Sequence, residues 1–141
     1  MDLVVPAGET TAQIPVTATE TGTYTVSASL GGQTSTADVQ VLGDSELSGD
    51  FALDPDAVEI AGGGTQTFTI TLEIPAPLGG AEFTLTETTG GLLPASVTVA
   101  QDQLTASFDF IAPDTATDGL LTATLVGTGV VRTATIDVVA E

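Results

Sequence analysis

Carboxylates are the groups through which this chain could do chemistry. It carries 19 Asp and Glu residues against one cation, Arg132, with no His and no Cys. Nucleophilic catalysis lacks its parts: there is no thiol, no imidazole, no Lys base and no Gly-x-Ser-x-Gly turn. A carboxylate pair can cleave a glycosidic bond, but sugar sites usually offer aromatic platforms, and here the aromatic content is 4% with no Trp. Zinc and redox metals lack their usual ligands, so no catalytic residue is assigned. Ca2+ is the ion these side chains suit, because carboxylate, carbonyl and water oxygens hold it. Its candidate ligands are Asp44, Glu46 and Asp50, with Asp54 and Asp56 nearby, converging with a loop such as Asp114–Asp118 at a domain junction. The spacing is not that of an EF-hand loop, and the competing reading is an acidic segment that is simply solvated. Arg132 is expected on a strand surface beside a carboxylate. Gly62-Gly63-Gly64 reads as a turn and not a phosphate loop, since no Lys-Ser/Thr follows and no helix is expected.

The net charge of −18 narrows the partners. Nucleic-acid affinity comes mainly from neutralising phosphates with Lys and Arg, so nucleic acid is excluded as a partner. Anionic membrane surfaces repel the chain for the same reason, and no apolar run approaches the ~20 residues of a membrane span. Self-repulsion favours solubility and bound cations or a salty medium.

The elements that must position these groups are strands. Val, Leu, Ile, Ala and abundant Thr favour extended structure, and 16 Gly and 7 Pro residues punctuate short runs. Side chains along a strand alternate faces; in Gln66–Ile74, Phe68, Ile70, Leu72 and Ile74 share one face. Strands are expected at Leu3–Val5, Thr11–Ala18, Thr23–Leu30 and Thr36–Leu42, with Pro15 marking an edge or bulge. Gly43–Asp50 is polar, breaks the alternation and reads as a linker. Beyond it, strands are expected at Phe51–Leu53, Ala57–Ile60, Gln66–Ile74, Ala81–Thr86, Ala95–Val99, Leu104–Ala112, Leu120–Val126 and Arg132–Val139. Short strands separated by turns at this spacing predict an antiparallel β-sandwich.

An internal repeat organises the chain. Val5 aligns with Val99, Thr11 with Thr105, Ala12 with Ala106 and Ala18 with Ala112. After a loop three residues longer in the second copy, Gly22 aligns with Gly119, Thr25 with Thr122, Gly32 with Gly129, Ala37 with Ala134 and Val41 with Val138. The offset of 94 to 97 residues is the length of about one immunoglobulin-like domain. Residues 1–42 therefore read as the C-terminal half, about four strands, of one module. Residues 43–50 are the linker and 51–141 a complete module. Met1 falls mid-repeat, which predicts a trimmed fragment or a processed product. Four strands with one apolar face leave half a core bare.

Leu93-Pro-Ala-Ser-Val-Thr-Val-Ala with Thr105-Ala-Ser-Phe-Asp-Phe, preceded by Leu53-Asp-Pro-Asp-Ala-Val-Glu-Ile-Ala-Gly-Gly-Gly-Thr, resembles the tandem immunoglobulin-like repeats of prokaryotic secreted and cell-surface proteins. Glu20-Thr-Gly-Thr-Tyr-Thr-Val26 is similar to the start of strand F in that fold, where the tyrosine hydroxyl bonds back to the preceding corner. Tyr24 takes that role, and Leu121 stands in its place in the second copy. The resemblance implies an all-β, immunoglobulin-like sandwich in an extracellular or cell-surface spacer, stalk or filament, without a cofactor other than the Ca2+ above. It also implies self-association or contact with neighbouring repeat modules, the open half-module being completed by strands of a neighbouring chain. The alternative is an adhesin-type module that recognises a glycan or protein through its loops, although these loops offer no anchoring aromatics.

Overall fold

The computed structural model describes residues 1–140; Glu141, the expected last residue of the second module, lies outside them. The chain forms two compact units, one ending at Gly43 and the other starting at Asp44. The described residues contain strands and turns, and no helix is long and apolar enough to cross a membrane.

The first unit contains β1 (Gly22–Leu30) and β2 (Gln33–Val41), an antiparallel pair running from Gly22↔Val41 to Leu30↔Gln33. Gly31 and Gly32 close it with φ of 57° and 84°, the left-handed pair that a two-residue hairpin turn requires. On the wet face, the Thr25 hydroxyl donates to Asp38 at 2.8 Å, and the Ser29 and Thr34 hydroxyls lie 2.8 Å apart. The strands expected at Leu3–Val5 and Thr11–Ala18 do not form. Their counterparts in the second copy, β7 and β8, pair with strands that have no equivalent in residues 1–43, so the same ladders are not available here. Pro15 withholds a donor as well. One feature of the missing pair survives. Glu9 N–H donates to the Pro6 carbonyl at 3.0 Å, with Gly8 at φ 86°; Gln103 N–H donates to the Ala100 carbonyl at 3.0 Å, with Asp102 at φ 64°. The same turn closes the same corner in both copies.

The second unit is an immunoglobulin-like sandwich. Its strands are β3 (Phe51–Asp54), β4 (Ala57–Ala61), β5 (Thr65–Leu72), β6 (Ala81–Glu87), β7 (Ser96–Val99), β8 (Thr105–Ile111), β9 (Thr117–Leu125) and β10 (Val131–Val139). One sheet has the order β3-β5-β8 and the other β4-β10-β9-β6-β7. The chain changes sheet at the cis Asp54–Pro55 bond, after which β4 pairs parallel with β10. The alternation in the sequence now has its cause. Phe68, Ile70 and Leu72 of β5 and Phe108 and Phe110 of β8 face Phe83, Leu85, Leu121, Ala123, Leu125, Ile136 and Val138 of the other sheet, all buried in one core. Phe51 meets Phe83 across the sheets edge-on at 4.8 Å, a favoured aromatic geometry.

Gly43–Asp50, expected to be a linker, has side chains tied to the sandwich. Leu47 packs on the core and Ser48 is buried. The Ser48 hydroxyl donates to the Asp50 carbonyl at 2.5 Å and accepts from Glu73 N–H at 3.1 Å. A polar composition hides this, because a single Leu and a single Ser do the anchoring.

Candidate functional site

The candidate Ca2+ ligands are distributed along one stretch and are not gathered. Asp44 offers its carbonyl to Leu78 N–H at 2.9 Å, and the Asp56 carbonyl accepts from Thr135 N–H at 2.9 Å. Asp54 ends β3, two residues before Asp56, and Glu46 lies between Asp44 and Leu47. Asp50 is already engaged: the Arg132 guanidinium donates to both its carboxylate oxygens at 2.5 Å, and Phe51 N–H donates to Oδ1 at 2.7 Å. The backbone N–H of Phe51 holds the Asp50 carboxyl below the usual aspartate range; desolvation opposes it, and Arg132, by hydrogen bond and charge, lowers it further. Arg132 thus stands on a strand surface beside a carboxylate. Asp114, in the loop expected to converge with them, packs its backbone against Gly62 instead. Among the described residues, no group of three or more acidic side chains is placed to hold a metal ion.

A second acidic feature follows from the sheet order. Asp137 on β10 is paired with Asp118 on β9 and with Glu59 on β4, so three carboxylates lie in one row across three strands. Partial desolvation raises the Asp137 pKa, and Asp118, by hydrogen bond and charge, and Glu59, by charge, raise it further. Like charges directly opposite on neighbouring strands are destabilising. The residues are about 20 to 80 positions apart in sequence, and only the parallel placement of β4 beside β10 brings them into line.

The remaining feature is apolar and lies in the first unit. Tyr24 and Val26 of β1 and Val39 and Val41 of β2 share one face, across which Val16 and Ala18 complete an open cleft of about 220 Å³. Tyr24 is held by the corner expected of it, its hydroxyl donating to the Glu20 carbonyl at 3.3 Å. The repeat places these positions against Leu121, Ala123, Ile136 and Val138, each no more than 2% exposed, whereas Tyr24 is 45% exposed. An apolar row that is core in one copy is surface in the other.

No family model and no curated protein matches the chain. Solved structures do. The chain is similar to domains 4 and 5 of the S-layer protein SbsC, with a TM-score of 0.53 and 19% identity over 85% of this chain and 66% of that one. It is similar also to domains 1–6 of that protein, with a TM-score of 0.51 and 20% identity over 86% of this chain and 17% of that one. WR4, a C. elegans MSP family member, aligns over 64% of this chain and 97% of its own, with a TM-score of 0.45 and 14% identity. At these identities the S-layer likenesses establish the fold: an all-β, immunoglobulin-like sandwich.

Proposed function

We propose that this chain is a non-catalytic structural module of a repetitive surface or filament protein of a prokaryote, positioned outside the cell. The observation that carries the reading is the repeat itself. One strand-turn-strand pattern is used twice, once closed into a sandwich and once with its apolar face open. Two further facts support it. The sequence has no Cys, His or Lys and no Gly-x-Ser-x-Gly turn, and solved structures of similar fold include domains of an S-layer protein. In this role the sandwich is a stiff spacer, its outward Thr and Asp rows keep it soluble, and the open hairpin face is where it joins neighbouring material. Immunogold labelling of intact source cells with antibody against the sandwich tests the reading. Label on the outer surface is expected; label that appears only after lysis contradicts it.

A further inference from the structure

We propose that β4 is a charge-gated edge strand. It is fastened to β10 when protons or dissolved cations neutralise the row Glu59, Asp137 and Asp118, and it lifts off locally in dilute, neutral solution. This is a property of the sandwich itself and does not depend on the surface-module reading.

The placement of β4 makes it separable. It lies at the end of its sheet, pairs with β10 alone and runs for 5 residues, from Thr135↔Ala57 to Val139↔Ala61. Its inward residues, Val58 and Ile60, are half-buried and pack against the core. Among the described residues, no fully buried core side chain comes from β4. The cluster around Phe68, Phe83, Phe110 and Ile136 therefore stays closed when β4 leaves. Segments with few buried contacts open at a lower free energy than the whole domain. At its two ends the strand is held by Thr135 N–H, which donates to the Asp56 carbonyl at 2.9 Å, and by Gly62 N–H, which donates to the Val139 carbonyl at 3.0 Å. Release of β4 leaves Thr135–Val139 as an unpaired edge.

Charge decides how firmly the strand is held. Its single charged side chain, Glu59, is paired with Asp137, which is paired in turn with Asp118 of β9. These two carboxylates are the titratable groups that face Asp137. The third strand packed on β10, β3, turns Phe51 and Leu53 inward and leaves its Asp54 exposed. Asp56 engages β10 through its carbonyl. On β10 itself the other charge is Arg132, the chain's one cationic side chain, and it is committed to Asp50. Relief of the row must therefore come from solution. Like charges opposite each other on neighbouring strands weaken the pairing. Protonation removes that repulsion, and salt screens it at an exposed site. Asp137, whose pKa is raised first by partial desolvation and then by Asp118 and Glu59, takes up the proton as pH falls.

Hydrogen exchange of the full chain, expressed as protection relative to the unstructured peptide rate, reads the release at the Thr135 and Gly62 amides. At pH 7 and low salt they are expected to exchange through an opening that is nearly independent of urea and faster than exchange in the β6–β9 ladder. Lowering the pH toward 4.5, or adding NaCl, is expected to raise their protection about two- to fivefold. Glu59→Gln is expected to raise it by the same factor at pH 7 and to leave little further response to pH or salt. Glu82→Gln, which removes an exposed carboxylate from β6 of the same sheet, is expected to leave both amides unchanged. Amides that open only with global unfolding, or protection that ignores pH and salt, would overturn the proposal. So would an equal response to Glu82→Gln and Glu59→Gln, since general self-repulsion and not the row would then be acting.

Discussion

Val41 and Val138 are the same residue at equivalent places in the repeat, and they should respond very differently to truncation. Val138 is 1% exposed in the sandwich core. Val138→Ala removes two buried methyl groups, about 1.6 kcal/mol of transfer free energy, and leaves a cavity. At about 24 cal/mol per Å³, an unrelaxed space of ~50 Å³ adds roughly 1 kcal/mol. A loss of about 2–3 kcal/mol lowers the melting temperature of a domain this size by roughly 10–20 °C. Val41 is only half-buried, in the open cleft of the first unit. Val41→Ala creates no enclosed cavity and loses a fraction of the transfer term, so the sandwich transition stays where it was. Thermal melts followed by far-UV circular dichroism read the sandwich, and Tyr24 fluorescence reads the hairpin separately. A fall of many degrees for Val41→Ala, matching that of Val138→Ala, would refute the reasoning, since it would mean that the first unit closes a core of its own.

Other consequences can be checked on the same protein. Asp137→Asn should raise the melting temperature at neutral pH by relieving the row with Asp118 and Glu59, most visibly at low salt. The folded-state pKa of Asp137 is raised above its usual value of 3.8, so the native state binds this proton more tightly than the unfolded chain. That contribution improves stability as pH falls through the raised pKa toward 3.8, and the substitution should flatten this limb in melts across pH. Asp50 acts in the opposite sense: its lowered pKa gives stability that is present above 3.8 and is lost as pH falls through the folded value. Ser48→Ala should cost about 0.5–1.5 kcal/mol in urea melts, because the Glu73 N–H loses its acceptor at a part-buried contact. Isothermal calorimetry with Ca2+ should give no saturable stoichiometric heat, because Asp50 is paired with Arg132 and no group of three or more acids is placed to hold a metal ion among the described residues. A stoichiometric isotherm would instead place a site among Asp44, Glu46, Asp50, Asp54 and Asp56.

The sandwich was readable because alternation in strands such as Gln66–Ile74 directly reflects one buried and one wet face. All eight strands expected beyond Asp50 exist, shifted by a residue or a few at their ends. Periodicity failed at Leu3–Val5 and Thr11–Ala18, since an apolar pattern records what a segment can pair with and not whether the partner is present. The tyrosine corner was legible from Glu20–Val26 because it is a local bond across four residues. The acidic row was not, because it depends on a parallel crossover that puts Glu59 beside Asp137. Nor was the anchoring of Gly43–Asp50, where Ser48 is buried by a contact with Glu73, 25 residues away. The repeat alignment held at the level of faces but not of register. Tyr24 pairs with Val39, whereas its counterpart Leu121 pairs with Ala134 and not Ile136, a slip of two residues that leaves every side chain on its original side.

Native-state hydrogen exchange of the full chain, read amide by amide, tests most directly whether one copy is closed and the other open. Amides in the β9–β10 ladder should exchange only through global unfolding, and those of β1–β2 about two orders of magnitude or more faster, through local opening. Equal protection in the two hairpins of the monomeric chain would contradict the account.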